Sequence, residues 1–523
     1  MYKKRIVKKE VVNMRQKLAI KSSAIGLGSK LIMMVLSIIS TRLFMQYLGV
    51  EIKGISGLIS NILSLLQLAE MGIGSAIIYA LYQPIVENKK EEIKSLMAFY
   101  KKAYNAIGII IFVIGSFASL FLDFFVGETT YSWAYVYLIY FLQLLVSVST
   151  YLSGAYKRNL LYADQKQYIT TLIDSGVNVF FTIGRMFVIV YLRSYITYLV
   201  LQLIQNIFCN VIVGIVVDKK FSFLREKNVE KYEKLPELIA NVKNVIVSKV
   251  GGIVYNSTDN LIIAKVEGVI VVGFLTNYYT LKNMLKMIAS SITEPIRPMI
   301  GNYIRQCKDV SKIFDLFMSY TFIRFFIANI ITVGMVVMMD PFIDIWQGTE
   351  YRMTSLISIF MAVDMFIAIV HGPTGEFIDV LGLFKSDRNM SITATCINLI
   401  TSIILVLLMG APGVLLGTII AQSYYWFARA NIVFHQYFKK GRMCYLKQIL
   451  LYSVVTGVDI FIMIFIRDYF MPHTTMVKFV LLCCICVAVS FGSICLIWHR
   501  SEEFGFMLKM VKSIWGKKKE NVV

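Results

Sequence analysis

Hydrophobic runs recur along the chain near 24–48, 54–82, 101–122, 133–155, 168–191, 196–217, 245–264, 269–294, 313–339, 353–383, 390–410, 413–434, 448–466 and 476–498. Short polar gaps separate them. Each run is about as long as the ~20 apolar residues that cross ~30 Å of hydrocarbon as a helix. The pattern predicts an all-α polytopic membrane protein of about fourteen transmembrane helices.

Basic residues orient those helices. Of the 53 lysines and arginines, 40 lie in or at the edges of the N-terminus, the even-numbered gaps and the C-terminus, five lie in the odd-numbered gaps, and eight lie inside runs. Positive charge stays on the cytoplasmic side, so both termini are expected in the cytoplasm of a bacterial cell. The first apolar stretch, Ala24–Leu48, exceeds the ~7–15-residue core of a secretory signal and reads as a retained span.

Composition agrees, with 57% hydrophobic and 16% charged residues. The net charge of +21 marks loops beside anionic lipid, because no soluble domain remains to present a basic face to nucleic acid. The eight cysteines fall in predicted spans or cytoplasmic loops, so no structural disulfide is expected. Cys483-Cys484-Ile485-Cys486 turns adjacent side chains to different sides of a helix with no histidine close by, and reads as packing. No metal or other cofactor is expected.

The longest inner gap divides the chain. Residues 1–217 read as an N-lobe of spans one to six, 218–244 as a cytoplasmic linker, 245–434 as a C-lobe of spans seven to twelve, and 435–523 as spans thirteen and fourteen with a basic tail. In the linker, Leu235, Leu238, Ile239 and Val242 keep helical spacing behind Pro236, as an interfacial helix would. The lobes carry a matching corner: Gly49-Val50-Glu51-Ile52-Lys53-Gly54 between spans one and two, and Gly268-Val269-Ile270-Val271-Val272-Gly273 between spans seven and eight. A Thr-charge pair precedes each (Thr41-Arg42, Thr258-Asp259). Such corners predict a parallel repeat about an axis along the membrane normal.

Charges inside spans cost roughly 2.5–3.5 kcal/mol each on insertion scales and usually face a partner or a hydrated cavity. Those near the ends, Lys30, Glu294, Arg429 and Lys478, can reach the interface. The deeper set is Arg42, Glu70, Arg185, Asp259, Lys282, Lys286, Arg324 and Asp364. Two readings stand for each: a buried ion pair that fixes packing, or the lining of a polar cavity. As cavity residues for an anionic cargo the candidates are Arg42, Glu70, Arg185, Asp259, Lys282 and Arg324. Asp174, eleven residues before Arg185, shares nearly its helix face.

Span ten is the least lipid-compatible, with Asp364, His371-Gly372-Pro373-Thr374-Gly375-Glu376 and Asp379. Pro373 between glycines predicts a broken helix. His371 falls seven residues after Asp364 on roughly one face, which makes Asp364 and His371 candidates for ion or proton coupling. Tyr278 and Tyr279 lie inside span eight, open to stacking on sugar rings or to plain packing. Neither a Gly-x₄-Gly-Lys-Ser/Thr loop nor a Gly-x-Ser-x-Gly elbow occurs, and the outer gaps leave no room for a catalytic domain. An enzyme is not expected.

Read together, the ordered motifs resemble polysaccharide flippases of the Wzx type, in the multidrug/oligosaccharidyl-lipid/polysaccharide exporter superfamily. The first half contributes Thr41-Arg42-Leu43, Leu48-Gly49-x-Glu51-x-x-Gly54, Ala69-Glu70-Met71-Gly72-Ile73-Gly74 and Tyr82-x-Pro84. The second half contributes Thr258-Asp259-Asn260-Leu261-Ile262-Ile263, Gly301-Asn302, Pro341-Phe342-x-x-x-Trp346-x-Gly348, Gly382-Leu383-Phe384, Asn398-Leu399-x-x-Ser402 and Gly410-x-x-Gly413-Val414-x-x-Gly417-Thr418. The resemblance implies two six-helix lobes, as in MATE transporters, plus two C-terminal helices. It implies alternating access around a central, often cationic cavity, with Arg42 matching a first-span arginine common in such proteins. The implied cargo is an undecaprenyl-pyrophosphate-linked oligosaccharide moved to the outer leaflet for capsule or exopolysaccharide synthesis. Implied partners are membrane lipid, H⁺ or Na⁺, and a polysaccharide polymerase. The alternative within the superfamily is a cation-coupled multidrug antiporter, which usually has twelve spans.

Overall fold

The computed structural model describes residues 28–66, 73–152, 154–164, 166–225, 258–294, 296–307, 309–470 and 475–516. Glu70 and the expected linker helix behind Pro236 lie outside the described residues. Among the described residues all regular structure is helical. Packing divides the chain into two units, 1–273 and 274–523.

The first unit holds α1 (Gly28–Leu48), α2 (Val50–Leu66), α3 (Ile73–Val86), α4 (Lys90–Ala118), α5 (Trp133–Leu152), α6 (Gln167–Phe187), α7 (Tyr195–Lys220) and α8 (Asp259–Glu267). Ser194 starts α7 by accepting the Thr197 amide, satisfying one of the amides a helix start leaves unpaired. Gly49 and Gly268 end α1 and α8 at φ +85° and +88°, a conformation costly for any residue with a Cβ. The two corners then meet. A Cβ on Gly54 would overlap the Val269 carbonyl, and one on Gly273 would overlap the Val50 carbonyl. The two glycine corners read from the sequence thus make a reciprocal backbone contact.

The division falls inside α9 (Val269–Thr293), after which come α10 (Ile296–Gln306), α11 (Val310–Trp346), α12 (Ser355–Leu381), α13 (Phe384–Met409), α14 (Ala411–Val433), α15 (Arg442–Phe470), α16 (Met476–Trp498) and α17 (Glu502–Gly516). At 37 residues, α11 is roughly 55 Å long at 1.5 Å per residue and forms the axis of the second unit. Against it pack α12, α15, α16 and α17. Asp309 caps its start through the Ser311 amide, 2.9 Å away.

Ten described helices are long and apolar enough to cross a membrane. At 25 and 23 residues, α9 and α14 have the length as well. Leu407, Leu408 and Phe461 are 72–75% exposed, and Leu496 80%. Apolar surface on that scale needs hydrocarbon around it rather than water. The protein is a multi-pass membrane protein.

One expected element differs. The α12 helix runs unbroken through Pro373. The lost hydrogen bond and the ring cost stability, but the helix is held on both sides by α11 and α14. Its flanking glycines serve a different purpose.

Candidate functional site

In the second unit those glycines are slots for arginines. A Cβ at Gly372 would lie 2.6 Å from the Arg324 guanidinium carbon, and one at Gly375 would lie 2.7 Å from an Arg429 nitrogen. Arg324, on α11, pairs closely with Glu376 and donates from Nε to the Tyr320 hydroxyl at 3.0 Å. Tyr320 donates onward to Glu376 at 2.8 Å. Arg429, on α14, forks onto Asp387 through two bonds of 2.6 Å and lies 4.0 Å over the Tyr425 ring. Bidentate geometry of this kind is what a planar guanidinium provides.

Arg429 therefore turns inward instead of reaching the interface. Its position near the end of α14, with Asp387 in the first turn of α13, hid the pair from a reading based on depth. Sequence spacing also missed Glu376 as the partner of Arg324.

His371 and Asp364 are both buried but have separate partners. Asp364 pairs closely with Lys282. His371 contacts the Thr374 hydroxyl through Nδ1 at 3.1 Å, and Thr374 donates to the His371 carbonyl at 2.8 Å. The other ring nitrogen faces Arg429 at 3.5 Å. Tyr278, fully buried, receives the Met353 amide at 3.0 Å and sits 3.5 Å from Asp340. A ring so enclosed packs; it does not present a face to a sugar. Lys282 lies 5.7 Å from the ring of Tyr279.

The first unit distributes charge differently. Asp174 binds Arg158 through two bonds of 2.7 Å rather than sharing a partner with Arg185. Arg158 also donates to Asn210 at 3.0 Å. With Asn178, Gln205 and Asn206 these residues line a polar cavity of about 370 Å³. Arg185 bonds Thr182 at 3.0 Å and lies 5.1 Å from the Tyr198 ring, while its buried Nε has no hydrogen-bond partner among the described residues. Tyr198 packs edge-on against Phe44 of α1. Arg42 is exposed on the same helix, with no ion-pair partner among the described residues. Asp259 is buried in the first turn of α8. The contrast is electrostatic: in the second unit Lys282, Arg324 and Arg429 are neutralised by carboxylates, whereas Arg42 and Arg185 are not.

A family model described as "Polysaccharide biosynthesis protein" matches residues 19–303, more than half of the chain. The chain belongs to this polysaccharide biosynthesis protein family. No curated protein matches it in sequence.

Solved structures extend the likeness of this family member to its fold. The lipid II flippase MurJ, in an inward closed conformation, aligns at TM-score 0.68 and 16% identity over 92% of this chain and 99% of its own. An inward-facing multidrug resistance MATE family transporter of the MOP superfamily aligns at 0.55 and 13%, over 77% of this chain and 96% of its own. The MATE transporter VcmN of Vibrio cholerae aligns at 0.55 and 13%, over 80% and 97%. The chain shares its fold with these transporters. Among the described residues no three His, Cys, Asp or Glu side chains gather as metal ligands.

Proposed function

We propose that the protein flips an undecaprenyl-pyrophosphate-linked oligosaccharide from the cytoplasmic to the outer leaflet, in capsule or exopolysaccharide synthesis, by alternating access. The observation that carries this reading is coverage. The likeness to the lipid II flippase MurJ takes in 92% of the chain, against 77%, 80% and 85% for three MATE transporters. The family description adds a polysaccharide pathway.

The physical case is direct. A sugar headgroup entering hydrocarbon loses hydrogen bonds to water, each costing a few kcal/mol if unreplaced. Fixed polar groups inside a bundle replace them while the polyprenyl tail stays in lipid. Arg42 and Arg185, without carboxylate partners among the described residues, are the groups we assign to the pyrophosphate. Carrying negative charge outward releases roughly 2.3 kcal/mol per charge per 100 mV of inside-negative potential, so ATP is not required. In this reading both termini are cytoplasmic and a polymerase uses the exported unit.

Purified protein reconstituted into vesicles with a fluorescent undecaprenyl-pyrophosphate-linked oligosaccharide tests the proposal. Accelerated exposure of the label to an external quencher is the expected result. Efflux of a cationic dye, with no movement of the lipid-linked sugar, would favour the antiporter instead.

A further inference from the structure

Three helices of the second unit enclose a carboxylate that no cation pairs among the described residues. Asp459, on α15, is fully buried and lies seventeen residues into a helix of 29, near the middle of the span. Asn329 of α11 and Ser493 of α16 donate to its Oδ2 at 2.7 and 2.8 Å. Its Oδ1 has no hydrogen-bond partner, nor has Oδ1 of Asn329 or the hydroxyl of Thr332. Asn329 is fully buried and Thr332 is 2% exposed. Thr332 stands one turn from Asn329 on α11, and Ser490 adds a buried hydroxyl one turn from Ser493 on α16.

The layers around this junction are apolar. Towards one end Phe325, Tyr452 and Trp498 close it, with Phe325 and Tyr452 stacked at 4.0 Å. Towards the other end Val333, Val337, Met463, Leu482 and Cys486 form a buried cluster. A cavity of about 410 Å³ with a mostly apolar lining reaches this junction at Thr332.

A lone carboxylate in such surroundings is strongly disfavoured unless its charge is cancelled. A proton on Oδ1 would supply one donor and leave the Asn329 oxygen still without a partner. A hard cation is matched by oxygens of carboxylate, amide and hydroxyl type, and a single carboxylate balances a single positive charge. We propose that Asp459, Asn329 and Thr332, with Ser490 beside them, bind a monovalent cation of the sodium type. This chamber is separate from the Arg324 and Arg429 pairs and does not depend on what the protein transports. Bound there, the ion ties α15 and α16 to α11.

The test uses the purified full-length protein in detergent. Its unfolding midpoint should rise saturably with sodium chloride against choline chloride at equal ionic strength. Equilibrium dialysis with radioactive sodium should find one ion per chain. Asp459→Asn should abolish the sodium-dependent rise, and Thr332→Val should weaken sodium binding at least ten-fold. Should Asp459→Asn fail to fold, Thr332→Val and Asn329→Ala carry the measurement. Sodium binding unchanged in these variants, or absent from the wild type, would overturn the proposal. A midpoint that answers to pH but not to sodium, and loses that answer in Asp459→Asn, would also overturn it and make the occupant a proton.

Discussion

The guanidinium of Arg324 fills the space that a side chain at Gly372 would need, at 2.6 Å from the position of the missing Cβ. A side chain there would have to displace the Arg324 guanidinium, and the adjacent proline is carried within an intact helix. Gly372→Val should therefore push Arg324 away from Glu376 and act like Arg324→Ala. Removing one partner of a buried pair costs roughly 3–5 kcal/mol. Because both changes break the same contact, Gly372→Val with Arg324→Ala should be far less damaging than the sum of the two. Unfolding midpoints of the purified variants decide; simple additivity would show that Gly372 and Arg324 act apart.

That slot illustrates what the sequence makes legible. Span number follows from run length, because a bilayer imposes a ~20-residue period that local detail barely disturbs. The two tight corners were visible as glycine spacing, since only glycine lets a carbonyl such as that of Val269 approach so closely. Pairing was harder to read. Depth singled out Arg324 correctly as buried and Lys282 is half-buried, but the partner of a long side chain is set by packing across helices. Hence Glu376 and Asp387 went unread as partners, Asp174 was set on the face of Arg185 rather than with Arg158, and Arg429 was placed at the interface. Asp459 could have been found by the same depth argument applied to span thirteen.

The corner contact gives a second test. Gly54 faces the Val269 carbonyl while Gly273 faces that of Val50, and both are backbone atoms with nowhere to shift. Gly54→Ala and Gly273→Ala should each lower the unfolding midpoint and reduce export of the polysaccharide. At Gly49, where no atom lies within 4 Å of an added Cβ but φ is +85°, alanine should cost only the backbone strain, roughly 1–2 kcal/mol. Equal tolerance at all three positions would contradict the packed corner.

The distribution of basic residues, 40 in one set of alternating gaps against five in the other, predicts the topology. Reporter fusions after Lys157, within 218–244 and at Val523 should all report cytoplasm. A fusion in 340–352 should report the outside. An external signal from the 218–244 fusion would exclude a count of fourteen.

The ion pairs separate the candidate cargo residues into two groups. Arg324 and Lys282 are bound to Glu376 and Asp364, so their alanine variants should lose membrane abundance along with export. Arg185 has a buried Nε with no partner and Arg42 is exposed, so Arg42→Ala and Arg185→Ala should lose most export with abundance near normal. Immunoblots of membranes beside surface polysaccharide measurements separate the outcomes. Full export from both variants would remove Arg42 and Arg185 from the cargo site.

His371 can be tested for coupling against what surrounds it. Its ring is held by Thr374 at 3.1 Å and faces Arg429 at 3.5 Å, while Asp364 is occupied by Lys282. A proton cannot be shared between His371 and Asp364 without first breaking the Lys282 pair. Glutamine replaces both hydrogen-bonding ends of the imidazole without a titratable proton. We therefore expect His371→Gln to keep the response of vesicle flipping to an imposed pH gradient, and His371→Ala to lower activity equally with and without the gradient. Loss of the pH response alone in His371→Gln, with flipping driven by membrane potential intact, would instead make His371 the coupling group.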